Sequence, residues 1–182
     1  MKLKLTAVTV AFALAAGSVL AALPVGSIAP EFTAPGYQGG KPLTFDLAKA
    51  LKSGPVVLYF FPAAHTSGCN LEAHLFAEAT DQFHSLGATI IGVTAGNLDQ
   101  LAAFSTETEH CSGKFPVAAD PHAAIAKLYH SVLPLPPGIS DRTSYVIVPG
   151  GKIILAYSNL GADHHVEQTL AAVKAWRAAH PG

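Results

Sequence analysis

Residues 56–93 constrain the fold more than any other part of the chain. VVLYFF (56–61) is a continuous apolar run of β-branched and aromatic residues. A run of that length, apolar at every position, fits a central strand covered on both faces. Pro62 stops it, because proline has no N–H to give to a sheet. From Cys69 onward Leu71, Leu75, Phe76, Ala79, Phe83 and Leu86 recur at helical spacing and make one apolar stripe. Gly87 closes that helix. TIIGV (89–93) is a second buried strand. Strand, amphipathic helix and strand in that order imply a parallel core sheet with helices on its faces.

The flanks extend the alternation. LPVGSIAPEFTAPGYQGGKPLTF reads as an irregular arm with a short hairpin, and residues 46–53 as a short helix ended by Gly54-Pro55. Asn97, with Gln100 three residues on, resembles a capping box opening a helix to about residue 109. Residues 115–119 make a short strand. Asp120-Pro121 sets an N-cap before proline at the first helical position, for a helix to about residue 130. LPLPPG is a loop. Residues 144–148 and 152–158, joined by Pro149-Gly150-Gly151, read as a hairpin, and Asp163 can cap a final helix carrying Val166, Leu170, Val173 and Trp176. The order β-α-β-α-β-α-β-β-α predicts an α/β, thioredoxin-like fold. Its central sheet is mostly parallel, with a C-terminal antiparallel hairpin and helices on both faces.

The first residues stand outside this pattern. MKLK followed by LTAVTVAFALAAGSVLA has the basic start and apolar run of a secretory signal peptide, cut after Ala21 or Ala22. The expected division is a signal peptide over 1–22 and one domain over 23–182, exported to a periplasm and not stably held at the membrane after cleavage. No Lys/Arg cluster exists, so nucleic acid is not an expected partner. An oxidising compartment permits a disulfide, and two cysteines, Cys69 and Cys111, allow one internal pairing. The nine histidines show no HxxxH, and no CxxC or CxxxC occurs, so neither a metal site nor a cofactor is expected.

Cys69 falls in the first turn of a helix that follows a central strand. Unpaired N–H groups and the positive end of the helix dipole meet there, and a thiol so placed ionises more readily than a free one. Thr66, three residues earlier, carries a hydroxyl able to bond the thiolate and a polar substrate, or simply to cap the helix. Pro62 can wall the pocket from water. Of the two arginines, Arg177 reads as a surface residue, whereas Arg142 opens the SYVIV strand and can set a guanidinium beside the thiolate. Glu72 either favours the helix dipole or orients Arg142. His65 and His74 either tune Cys69 or lie on the surface.

These residues also carry a resemblance. In FFPAAHTSGCNLE, Pro62, Thr66 and Cys69 have the spacing of the peroxiredoxin signature. GSIAPEF is similar to the start of that family's domain, GKFPVAADP to its middle and DRTSYVIVPGGKI to its arginine strand, with Glu72 and the length resembling the bacterioferritin-comigratory or PrxQ branch. The resemblance implies a peroxidase that reduces hydrogen peroxide and organic hydroperoxides. Cys69 becomes a sulfenic acid while Thr66 and Arg142 hold the peroxide. A second thiol then closes a disulfide, which a thioredoxin-like or other dithiol reductant reopens. Many relatives carry that second cysteine five residues after the first, where this chain has His74. The resemblance therefore implies Cys111 as the resolving residue, in a protein that is a monomer or dimer. Two other functions fit the residues: a thiol–disulfide oxidoreductase, which normally needs CxxC, and a copper or metal chaperone using Cys69, His74 and His164 or His165.

Overall fold

The computed structural model of the chain describes residues 22–181. The segment read as a signal peptide lies, apart from Ala22, outside the described residues. No helix among the described residues is long and apolar enough to cross a membrane.

Seven strands form one sheet: β1 (Thr33–Gln38), β2 (Lys41–Asp46), β3 (Val56–Phe60), β4 (Thr89–Thr94), β5 (Val117–Ala119), β6 (Thr143–Ile147) and β7 (Ile153–Ser158). Their order is β2-β1-β5-β4-β3-β6-β7. β5, β4 and β3 run parallel, while β6-β7 and β1-β2 are antiparallel flanks. The helices are α1 (Leu47–Leu51), α2 (Ser67–Ser85), α3 (Leu101–Thr106), α4 (Ala124–Leu128) and α5 (His165–Ala179). This is the expected thioredoxin-like arrangement, with the N-terminal hairpin added to the sheet edge; the sheet is mixed rather than mostly parallel, because parallel pairing is confined to β5-β4-β3.

The apolar run on β3 is explained by its two neighbours. Val57 and Tyr59, with Phe61 just beyond, pack into the core shared with α2, α3 and α5. Val56, Leu58 and Phe60 pack into the opposite core with α1 and α4. Strand side chains alternate between faces, so a strand buried between two apolar cores favours apolar residues at every position. Gly36 on β1 opposes Ala118 on β5, and a Cβ there would come within 2.3 Å of the Val117 carbonyl oxygen. The Pro-Gly pair in a strand marks this close approach.

Four local expectations are corrected. The helix expected over 97–109 is a short 3-10 turn, Leu98–Gln100, and then α3, which ends at Thr106. No capping box forms: Asn97 has φ 53° and donates from Nδ2 to the Ala64 carbonyl at 2.8 Å, and the Gln100 Oε1 accepts from His65 Nδ1 at 2.7 Å. Both side chains hold the loop before Cys69. The helix after Asp120 is split into a 3-10 turn and α4, although the Asp120 carboxylate does accept from the Ile125 and Ala126 amides, each at 2.8 Å. Asp163 does not cap α5, whose N-cap is His164. Arg177 is half-buried, and its Nε and Nη2 donate to the Leu86 carbonyl at 3.0 and 2.8 Å, so it closes the C-terminal end of α2.

Candidate active site

The register of β3 against β6 builds the site. Phe60 pairs with Thr143, so Arg142, one residue before β6, lies beside the exit of β3 and the first turn of α2. Cys69 and Glu72 stand one helical turn apart on α2 and face it. All three are buried: Cys69 and Glu72 to 1% and 0% exposure, Arg142 to 5%.

Arg142 uses every arm of its fork. Nη2 donates to Cys69 Sγ at 3.5 Å, Nη1 donates to Glu72 Oε2, and Nε donates to the Leu160 carbonyl at 2.8 Å. The planar guanidinium is thereby fixed with its charge against the sulfur, a task the point charge of lysine cannot reproduce. Of the two roles open to Glu72, orienting Arg142 is the one its contacts show.

A fourth residue, named from sequence only as a possible metal ligand, joins this group. His165, wholly buried at the start of α5, places Nδ1 3.5 Å from Glu72 Oε1, an oxygen with no hydrogen-bond partner. Its Nε2 donates to the Asn159 carbonyl at 2.9 Å, so Nδ1 is free to accept from the Ser144 hydroxyl at 2.8 Å. Burial pushes the Glu72 carboxyl up to about 8 against the pull of Arg142. Burial likewise lowers His165 to about 4. Burial thus favours a proton on Glu72 and none on His165, while the Arg142 guanidinium opposes the first.

This proton has a measurable consequence. Between pH 4.5 and 6.5 the unfolded pair also holds one proton, on His165, so it adds no pH dependence to stability. Above pH 6.5 the unfolded chain loses that proton while folded Glu72 keeps its own to about 8. Stability should fall there by about 2 kcal/mol as pH rises. Glu72→Gln leaves only the depressed His165. Stability should then fall as pH drops from 6.5 towards 4, by about 3 kcal/mol. Urea unfolding across this range measures both; identical acid limbs in the two proteins would contradict the assignment.

Thr66 and Pro62 lie in the segment that joins β3 to α2. Thr66 is the exposed N-cap residue of α2, but its hydroxyl neither caps the helix nor bonds Cys69; it donates to the Ala63 carbonyl at 3.0 Å. The hydroxyl oxygen keeps lone pairs with which it can accept. Pro62 follows β3, and its carbonyl accepts from the Thr94 hydroxyl at 3.0 Å.

Gly68 was not singled out by the sequence reading. A Cβ at this position would lie 3.0 Å from Arg142 Nη2. Gly68→Ala should therefore move the guanidinium by a few tenths of an ångström and slow the peroxide reaction that the resemblance implies several-fold, while the better helix former raises stability by up to about 1 kcal/mol. Parallel stopped-flow and urea measurements check this; equal loss of both would point to disrupted folding instead.

Cys111 is not at a helix end as expected. Glu107 leaves helical geometry with ψ 133°, and Cys111 lies in the turn beyond it. That turn is closed by the Ser112 amide donating to the Glu107 carbonyl at 3.0 Å and the Gly113 amide donating to the Ser105 carbonyl at 2.9 Å. Ser112 and Gly113 are both left-handed, with φ 53° and 68°. Cys111 is fully buried, in the same core cluster as Cys69, and both are free thiols. Burial pushes the Cys111 thiol well above its ordinary range.

The other histidines sort differently. His74 pairs with Glu78 at 3.5 Å and His164 with Glu167 at 3.2 Å, all with exposed side chains. The ligand set of a chaperone, Cys69 with His74 and His164 or His165, is not brought together among the described residues. The one group of three possible metal ligands found there is His65, Glu107 and His110.

Comparison with known proteins agrees with this geometry. Residues 25–156 match the model of the AhpC/TSA family. The chain is 30% identical over 160 residues to chloroplastic peroxiredoxin Q of Arabidopsis thaliana, covering 87% of this chain and 71% of that protein. It is 29% identical over 154 residues to chloroplastic peroxiredoxin Q of Sedum lineare, covering 84% and 79%. Among solved structures it is similar to the peroxidoxin BcpB of Mycobacterium tuberculosis, with TM-score 0.71, 28% identity and coverage of 83% of this chain and 96% of that one. A buried thiol under a fixed guanidinium, in this fold and with these relatives, leads to one conclusion: the chain belongs to the AhpC/TSA family and is a peroxidase of the peroxiredoxin type.

Proposed function

We propose that the protein is an exported, periplasmic thiol peroxidase in which Cys69 is the peroxidatic and Cys111 the resolving cysteine. It reduces hydrogen peroxide and organic hydroperoxides and is recycled by a thioredoxin-like dithiol. The observation that carries the reading is the 3.5 Å hydrogen bond from Arg142 Nη2 to Cys69 Sγ, on a guanidinium held from its other side by Glu72 and Leu160.

The Cys69 thiolate attacks one peroxide oxygen. An S–O bond forms, the O–O bond breaks, and the second oxygen leaves as hydroxide or alkoxide and takes up a proton. Sulfur is oxidised by two electrons to the sulfenic acid. Thr66 accepts from the peroxide O–H, and Arg142 meets the charge that develops on the leaving oxygen. A cleft of about 310 Å³ beside Arg142, edged by Leu133, Pro134 and Leu160, offers apolar surface to an alkyl hydroperoxide. Cys111 then attacks the sulfenic sulfur, an S–S bond forms and water leaves. Cys111 is fully buried in a closed turn, and this turn opens to bring its thiol to the Cys69 sulfur. An external dithiol reduces the disulfide by exchange.

The basic, apolar leader supports export, and export places the reductant outside the cytoplasm. Whether the working unit is a monomer or a dimer is read by sedimentation of the reduced and oxidised protein. The mechanism is tested by thiol titration and peptide mapping after one equivalent of peroxide. Two thiols should disappear per peroxide, with the Cys69 and Cys111 peptides linked. Loss of a single thiol, or a link between two chains through Cys69, would sink the Cys111 assignment.

A further inference from the structure

The loop before Cys69 and the turn carrying Cys111 meet at a cluster the mechanism does not use. His65 Nε2 lies 3.0 Å from Glu107 Oε2, and His110 Nδ1 lies 2.7 Å from the same oxygen. The three ligand atoms are all within 4.8 Å of one another. His110 is 7% exposed, and its Nδ1 is buried without a partner of hydrogen-bond geometry. Its ring is fixed by stacking on Phe104 at 5.0 Å, against which His65 also packs edge-on at 5.4 Å.

The protons leave this arrangement incomplete. The His65 Nδ1–H donates to Gln100 Oε1 at 2.7 Å, so in the neutral ring Nε2 presents a lone pair to the carboxylate. His110 Nδ1 approaches the same oxygen. A neutral His110 can turn an Nδ1–H to that oxygen, but His65 Nε2 then needs an added proton, whereas a divalent ion serves both nitrogens and the oxygen at once. For bonds of 2.0–2.1 Å the edge of a tetrahedral site is about 3.4 Å, so the two nitrogen–oxygen spacings of 3.0 and 2.7 Å need to open by about 0.4 and 0.7 Å, with the two nitrogens already within 4.8 Å of each other. The Gln100 contact is the outer hydrogen bond that fixes the tautomer and orientation of a ligating histidine.

We propose that His65, Glu107 and His110 form a binding site for a divalent transition-metal ion of the zinc class, with a fourth position open to water through the half-exposed Glu107. Histidine and carboxylate ligands with one open position suit zinc. The ion joins a residue four before Cys69 to residues on the near side of Cys111. It therefore acts as a latch that holds the Cys111 turn in its buried position. The binding stands by itself; the latch rests on Cys111 being the resolving thiol.

Zinc is titrated by calorimetry into protein carrying Cys69→Ser and Cys111→Ser, so that no thiol competes. One equivalent should bind and raise the unfolding temperature. In the same background Glu107→Gln or His110→Ala should abolish binding, and Gln100→Leu, which leaves all three ligands, should weaken it at least about tenfold. Cobalt in place of zinc should give visible bands without a thiolate charge-transfer band. No binding, or binding that survives both Glu107→Gln and His110→Ala, overturns the site. In the two-cysteine protein, zinc should slow disulfide formation after peroxide without slowing sulfenic acid formation, and Glu107→Gln should remove the effect. An unchanged disulfide rate at saturating zinc overturns the latch. A disulfide that never forms, with or without zinc, instead removes the Cys111 assignment and leaves the metal site standing.

Discussion

Arg142→Met should slow the reaction of Cys69 with hydrogen peroxide by about 10²–10³-fold, the usual effect of removing one preorganised donor from a developing charge. The guanidinium is the only charged donor placed against Cys69 Sγ among the described residues, and its Nη2–H is the group that meets the sulfur. The fold should survive the change. Breaking a buried ion pair often costs 3–5 kcal/mol because one charge is left uncompensated. Here Glu72 already tends to hold a proton, with its carboxyl raised to about 8 by burial. In Arg142→Met that tendency strengthens, so the variant should be most stable in acid and lose stability as pH rises. Arg142→Lys should recover only part of the rate, because an ammonium cannot donate in one plane to Cys69, Glu72 and Leu160 together. Stopped-flow rates and urea unfolding of the two variants measure this. A rate within threefold of the parent for Arg142→Met would remove the guanidinium from the mechanism.

The centre of the sheet was legible because it depends on short-range patterning. VVLYFF is apolar at every position since each face of β3 meets its own core, and the α2 stripe follows from the single face it buries. Pro62, Thr66, Cys69 and Arg142 were legible as candidates, and the β3–β6 register explains why residues so far apart in sequence meet. The misreadings arose where a side chain serves a distant segment. Asn97 and Gln100 look like a capping box, but they hold Ala64 and His65 across a loop. His165 looks like half of an indifferent His-His pair until Ser144 and Glu72 are placed around it. The ligand cluster spans 45 residues from His65 to His110, so only the Glu107-x-x-His110 spacing is local, and one such pair is too common to notice.

Cys111 is the hardest residue to assign, because in the folded state it is a buried thiol in a closed turn and resembles an ordinary core cysteine. The resolving role proposed for it depends on opening. Residues 107–113 contain a left-handed serine and a glycine and are joined mainly by turn hydrogen bonds. Such a segment opens at a lower free energy than the sheet beneath it. Once opened, the thiol is no longer desolvated and can supply a thiolate to the sulfenic sulfur.

The most direct test is stopped-flow reaction of the reduced protein with hydrogen peroxide, beside Cys69→Ser and Cys111→Ser. Cys69→Ser should abolish the reaction. Cys111→Ser should consume one equivalent of peroxide at the parental rate and stop as a sulfenic acid, trapped by dimedone. It should not turn over with a thioredoxin-like dithiol. Undiminished peroxide consumption by Cys69→Ser, or normal turnover by Cys111→Ser with that dithiol, would contradict the account.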